Sequence, residues 1–284
     1  MRRRPRRLSA RRAAALGPVL DRFARAFDAA ARLRFDPLEL PRRYPDPGDA
    51  EVAGLVAACL AYGRADLFRP RVERLLAAMG PSPAAFAEAF ARAPDPRTFA
   101  AFRYRFNRPE DAAALVAAAG WLRARHGALG ARFAREIREA PPVAAILRRR
   151  GRRGLLHLCP DASGPGACKR WNLYLRWMVR GPDGVDLGLW RGVSPAELVL
   201  PLDTHLGRIA RYLGLTDRRD ASWRTAAEIT ESLRAVDPAD PARFDFALCH
   251  LGMSGACPPR RDAAKCAACP LAGHCRARAR GAGP

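Results

Sequence analysis

The chain has 284 residues, 49% of them apolar, with 50 basic against 28 acidic side chains and a formal net charge of +22. This length and apolar content exclude a mostly disordered protein and allow one large domain or two lobes with real cores. The charge excess calls for a polyanionic partner, nucleic acid ahead of an anionic membrane face, and no stretch approaches the ~20 uninterrupted apolar residues of a membrane span.

Residues 1 to 12 contain seven arginines and no apolar period, which predicts a disordered basic arm that touches phosphates non-specifically. The basic start is not followed by an apolar run of signal length, so a reducing cytoplasm without disulfides is expected. Leu16, Val19, Leu20, Phe23 and Phe27 then form a helical stripe at spacings of three and four. Pro37, Pro41, Pro45 and Pro47 mark a long connection. Further stripes follow at Val52/Leu55/Val56/Cys59/Leu60, ending near Tyr62-Gly63, and at Val72/Leu75/Leu76/Met79, ending at Gly80-Pro81. The pattern continues at Leu115/Val116/Ala119/Leu122 and at Val143/Ile146/Leu147. Alternating strand patterns are absent, so the predicted fold class is all-α.

Three later helices carry the chemistry. Pro160 to Gly166 must be a turn, and after Cys168-Lys169-Arg170 the residues Trp171, Tyr174, Leu175, Met178 and Val179 give a strong apolar face. A Gly-rich insert spans Arg180 to Val193. The next helix begins at Asp203, carries Leu206, Ile209, Ala210 and Leu213, and stops at Gly214, a C-terminal breaker. Phe244, Ala247, Leu248 and Leu251 form the last, running to Gly252.

Cys257, Cys266, Cys269 and Cys275 then fall within nineteen residues as C-x8-C-x2-C-x5-C. Zinc sites of four thiolates usually come as two separated C-x2-C knuckles, and here there is one such pair with a single cysteine on each side. One loop wrapped around a [4Fe-4S] cluster suits this arrangement better than zinc, which stays as the alternative. Arg260, Arg261 and Lys265 lie inside the loop, so a bound cluster would hold a basic rim toward a phosphate backbone. Cys59 and Cys249 read as ordinary buried residues on helix faces.

Asp203, in or next to an N-cap, reads first as a cap. A carboxylate there also accepts local N–H groups, stays ionised, and points its charge at a nearby site. His205 reads as structural. Lys169 and Lys265 are the only lysines among 50 basic residues. A primary amine becomes a nucleophile once neutral, whereas guanidinium stays protonated. Arg170 and the positive helix N-terminus both favour the neutral form of Lys169.

The run Leu202-Asp203-Thr204-His205-Leu206-Gly207-Arg208, then Leu213-Gly214, the helix to Gly252, and the cysteines closed by Cys269-Pro270-Leu271 and Cys275 resemble the endonuclease III branch of the helix-hairpin-helix DNA glycosylase superfamily. The fuller pattern, with Cys168-Lys169-Arg170, Leu175 to Arg180, Val185 to Gly188 and Pro201 to His205, resembles an uncharacterised bacterial family, DUF2400. The likeness covers roughly residues 35 to 276. It implies a two-lobed, all-helical fold with a lesion cleft between the lobes and a C-terminal iron–sulfur cluster loop. The implied lobes are 51–195, with the hairpin near 155–180, and 13–50 plus 196–276, with a tail over 277–284.

Residue by residue, the resemblance makes Asp203 the essential carboxylate and Lys169 the amine that attacks the sugar C1′. Gly164, Gly166 and Arg170 would grip phosphates at the hairpin. Tyr62 and Arg64 would fill the gap left by a flipped base, although Tyr62 also suits core packing. This chain departs from the endonuclease III pattern in three ways. The hairpin has one extra residue before the lysine, Lys169 and Asp203 are farther apart because of the Arg180–Val193 insert, and the first cysteine gap is eight rather than six. The expected function is base-excision repair: an N-glycosylase with abasic-site lyase activity acting as a monomer on double-stranded DNA, cytoplasmic and nucleoid-associated, with no membrane partner. The alternatives are a non-catalytic nucleic-acid-binding iron–sulfur protein of the same fold, an enzyme acting on a modified RNA base, and a plain zinc-binding module.

Overall fold

The structure is a computed structural model that describes residues 8–130, 153–161 and 164–279. The expected stripe at Val143, Ile146 and Leu147, residues 1–7 of the basic arm and residues 280–284 of the tail lie outside the described residues. Among the described residues the protein is all-helical. No strand forms, and the extended pairings are two isolated bridges, Tyr104 with Asn107 and Gly166 with Ser222. Among the described residues no helix is long and apolar enough to cross a membrane.

The chain divides into two compact units. The terminal unit comprises Met1–Arg32, Pro165–Asn172 and Ser194–Pro284, and the central unit comprises Leu33–Gly164 and Leu173–Val193. Residues 33–50, expected with the cysteine-bearing lobe, group instead with the central unit, and residues 165–172, expected in the other lobe, group with the terminal one.

In the central unit α3 (Pro47–Leu60) follows α1 (Ala10–Ala26) and the short α2 (Ala29–Leu33); α1, and α2 apart from Leu33, belong to the terminal unit. Every residue of α3 from Asp49 to Leu60 is buried, so it has no solvent face and the expected single stripe is too narrow a description. Its small residues are the reason. A Cβ on Gly54 would stand 2.6 Å from Met178 Cε and 3.3 Å from the Tyr174 ring, so the helix carrying those two residues packs closely against α3 here. Around α3 lie α4 (Ala65–Met79), α5 (Pro83–Phe90), α6 (Pro109–His126) and α7 (Arg153–Leu158), followed by α8 (Lys169–Val179), whose first turn belongs to the terminal unit. Trp177 and Tyr174 of α8 are fully buried; each such side chain contributes about 1.5–3 kcal/mol through the apolar area it removes from water.

The Arg180–Val193 insert folds back on the C-terminal end of α8. Leu187 N donates to Trp177 O and Trp190 N to Met178 O, both at 2.8 Å. Asp186, wholly buried, sits between Arg176 (3.1 Å) and Arg180. Trp190 Nε1 donates to Glu51 Oε1 at 2.6 Å, and Arg123 pairs with Glu51 Oε2 at 2.9 Å. The insert is therefore a strap of the central unit, held by two buried carboxylates that each have charged partners.

In the terminal unit α1 begins at Ala10, capped by Ser9, so the end of the expected arm is helical. Arg12 turns inward and donates to His274 O at 2.9 Å. Leu16, Leu20 and Phe23 of α1 share a core with Leu206, Ile209 and Leu213 of α9 (Thr204–Leu213), Ile229 and Leu233 of α10 (Trp223–Arg234) and Leu248 of α11 (Asp245–Met253). The expected stop of α11 at Gly252 falls one residue later, at Met253. Short helices α12 (Ala263–Ala267) and α13 (Arg276–Ala279) complete the cysteine loop.

Candidate functional site

Asp203 is the N-cap of α9: its Oδ1 accepts the Leu206 N–H at 2.7 Å, and Gly214 closes the helix at φ +75°. Both boundaries lie where the sequence puts them. The second carboxylate oxygen has a partner that local sequence does not reveal. The Cys249 thiol, on α11, donates to Asp203 Oδ2 at 3.3 Å. Gly252, one turn further along α11, faces His205, whose Cβ would be 2.8 Å from an added Cβ, so α9 and α11 are in close contact at this point. Cys249 lies on a helix, as expected, and is in addition the partner of Asp203. It is half-buried by exposed surface yet crowded by protein. Burial first, then the Asp203 and Asp245 carboxylates, push its thiol well above the ordinary range, so it stays an S–H donor at neutral pH; the Lys169 ammonium opposes that shift. Lys169 and Asp203 therefore both act electrostatically on one thiol.

Lys169 is the first residue of α8, half-buried, as is Arg170. The turn before it is tied to α10. Gly166 bridges Ser222, Trp223 N donates to Pro165 O at 2.9 Å, and the Asn172 side chain returns to Ala167 O at 3.0 Å. Gly164 N donates to Asp161 O at 3.1 Å. The left-handed residue of the turn is neither glycine but Cys168, at φ +48°. A side chain in that region costs roughly 1–2 kcal/mol, so the rest of the turn over-determines the backbone immediately before the lysine.

Cys257, Cys266, Cys269 and Cys275 all line one cavity, together with Tyr212 and Arg261. Burial raises the Cys257 and Cys269 thiols above their ordinary range, and thiol neighbours within the set add to the rise. Among the described residues no group of three His, Cys, Asp or Glu side chains is placed to hold one metal ion. The loop is fastened to α9: Arg208 donates to Cys257 O at 2.7 Å and Tyr212 Oη to Pro259 O at 3.0 Å. Arg260, Arg261 and Lys265 are exposed on it.

In the central unit Tyr62 is half-buried and donates to Asn107 Oδ1 at 2.5 Å. Its ring packs on Tyr104 and His157, with centroids 4.7 and 4.6 Å away, so it belongs to a packed aromatic group. Arg64 is exposed and paired with Asp66 at 2.7 Å. Phe106, which local sequence does not mark, belongs to the same group, with its ring centroid 4.3 Å from that of His157. Phe106 is 51% exposed at the tip of the Tyr104–Asn107 turn, stacked at 6.1 Å on Tyr62, after Arg105 at φ +53°.

Residues 36–254 match the family described as "Protein of unknown function (DUF2400)". The matched span contains Lys169, Asp203 and Cys249 and ends before Cys257. No curated protein matches the chain.

Proposed function

Since the chain belongs to the DUF2400 family, we propose, from its own residues and from its resemblance to the helix-hairpin-helix glycosylases, that it excises a damaged or mismatched base from DNA. The observation that carries this reading is the fixing of Asp203 at the N-cap of α9, where its two oxygens accept the Leu206 N–H at 2.7 Å and the Cys249 S–H at 3.3 Å. A carboxylate fixed in that way suits a reaction in which positive charge develops.

Cleavage of an N-glycosidic bond moves the bonding electron pair onto the departing base and leaves positive charge on the sugar. Asp203, with one oxygen held by the Leu206 N–H and the other by the Cys249 S–H, would meet that charge without reorganising. Lys169, as its free amine, would add to C1′ and pass a proton to O4′ as the C1′–O4′ bond breaks, leaving an iminium on the opened sugar; loss of a C2′ proton would then expel the 3′ phosphate and cut the strand. The target nucleotide must leave the stack for these groups to reach it.

The four cysteines would hold a [4Fe-4S] cluster, one thiolate to each iron. That ligation suits a single C-x2-C pair with one cysteine on each side better than zinc does, since four-thiolate zinc sites usually come as two separated C-x2-C knuckles. A bound cluster would supply rigidity to the basic loop and take no part in bond breaking. The test is a screen of purified, cluster-loaded protein against duplexes carrying different damaged bases, comparing wild type with Asp203→Asn. Release of a base by the wild type, reduced at least 100-fold in the variant, supports the reading. Binding of duplex without release of any base would leave a nucleic-acid-binding protein in its place.

A further inference from the structure

The central unit carries a second basic feature, at a different place from Arg64 and Tyr62. Arg71 and Arg74, one turn apart on α4, and Arg103, in the loop before α6, wall a recess of about 180 Å³ whose floor is Leu75, Phe99 and Phe102. The three floor residues are buried. No carboxylate lines the recess. The nearby acids are engaged elsewhere: Glu39 and Glu73 by Arg43, Glu39 also by Arg69, and Asp66 by Arg64. Among the described residues neither Arg71 nor Arg74 has a carboxylate within ion-pair distance, and Arg103 donates only to the carbonyls of Ala100 and Phe102. Three guanidinium groups held around a concavity without a counter-charge repel one another, an arrangement that a bound anion relieves. Arginine's planar fork suits phosphate oxygens in particular.

We infer that this recess is a phosphate subsite that takes a backbone phosphate of a nucleic-acid strand. A strand is favoured over an anionic lipid surface because the loop that supplies Arg103 presents the exposed ring of Phe106 three residues later. A phosphate in the recess and a base on that ring form the alternation of charge and stacking that single strands and opened duplexes offer. The site deepens the nucleic-acid reading of the function, and it involves neither Lys169 nor Asp203. It places a grip on the central unit that is independent of the hairpin.

The test is a fluorescence-anisotropy titration of the full-length protein with labelled single- and double-stranded 20-mers at several salt concentrations. The variant Arg71→Ala/Arg74→Ala/Arg103→Ala is compared with Arg92→Ala/Arg125→Ala/Arg191→Ala, which removes the same charge from exposed positions elsewhere. The recess variant should bind about 10- to 100-fold more weakly near 0.1 M salt. The slope of log K against log salt should fall by about one, as expected for one lost phosphate contact. The control should lose much less. Equal losses in both variants would show that only net charge matters and would overturn the subsite. Replacing the three arginines with lysine keeps the charge and removes the fork; full retention of affinity there would overturn the guanidinium argument. A parallel arm with vesicles containing anionic lipid overturns the choice of ligand if the recess variant loses vesicle binding and keeps the oligonucleotide. Failure of the wild type to bind any oligonucleotide would instead sink the wider nucleic-acid reading, a result distinct from a wild type that binds and a recess variant that matches it.

Discussion

Replacing Asp203 with asparagine and with alanine separates its two roles. As the N-cap of α9 it accepts the Leu206 N–H at 2.7 Å, and a side-chain cap is worth about 1 kcal/mol, with asparagine as good as aspartate and alanine unable to cap. Asp203→Ala should therefore lower the melting temperature by about 2–4 °C, the shift that 1 kcal/mol produces in a domain of 150–250 residues. Asp203→Asn should stay close to wild type. Reactivity should divide differently, because asparagine keeps the geometry and removes the charge. Loss of one preorganised electrostatic group costs about 2.7–4 kcal/mol of barrier, or 100- to 1,000-fold in rate, and both variants should show it. Differential scanning calorimetry and single-turnover base release on one substrate measure the two effects. A stable Asp203→Asn protein with unchanged turnover would refute the electrostatic role. An Asp203→Asn protein as unstable as Asp203→Ala would refute the capping account.

Other consequences follow from neighbouring contacts. Because Asp203 raises the Cys249 thiol and holds its proton, Asp203→Asn should increase the thiolate fraction; iodoacetamide labelling of Cys249 near pH 8, read by mass spectrometry, should speed up, and an unchanged rate would contradict the contact. By the same sign, a thiol raised in the folded state favours folding below the ordinary thiol pKa, and that contribution is lost as pH rises through the raised value. Gly252→Ala places a Cβ 2.8 Å from His205 Cβ and should destabilise by about 1–3 kcal/mol through overpacking; calorimetry showing no loss would mean α9 and α11 are not in close contact. Arg105→Gly removes a side chain from φ +53° and should stabilise by up to about 1 kcal/mol, seen as a higher melting temperature; an unchanged or lower one would contradict the cost assigned to that conformation.

The caps were the most legible part of the sequence, because a cap is decided within four residues: Asp203 and Gly214 bound α9 where their residue types place them. Lys169 was equally clear as a helix start. The partner of Asp203 was hidden, since Cys249 lies 46 residues away and only the packing of α11 on α9 brings it there. Gly252 held a clue, as a glycine one turn from Cys249 marks a face where two helices approach. Phe106 was missed because its turn has no glycine at the tip; Arg105 takes the left-handed conformation instead. The strap over 180–193 has no period to read, since its anchor is Asp186, wholly buried between Arg176 and Arg180. The cysteines declared a shared site by spacing, and all four do line one cavity.

Borohydride trapping on duplex DNA with a single abasic site tests the excision chemistry most directly, because reduction of the imine fixes enzyme to sugar through the attacking amine. Wild-type protein should give a covalent adduct that maps to Lys169, is lost in Lys169→Ala, and forms with Cys249→Ser. No adduct with the wild type, or an undiminished adduct after Lys169→Ala, would contradict the assignment of Lys169 as the nucleophile.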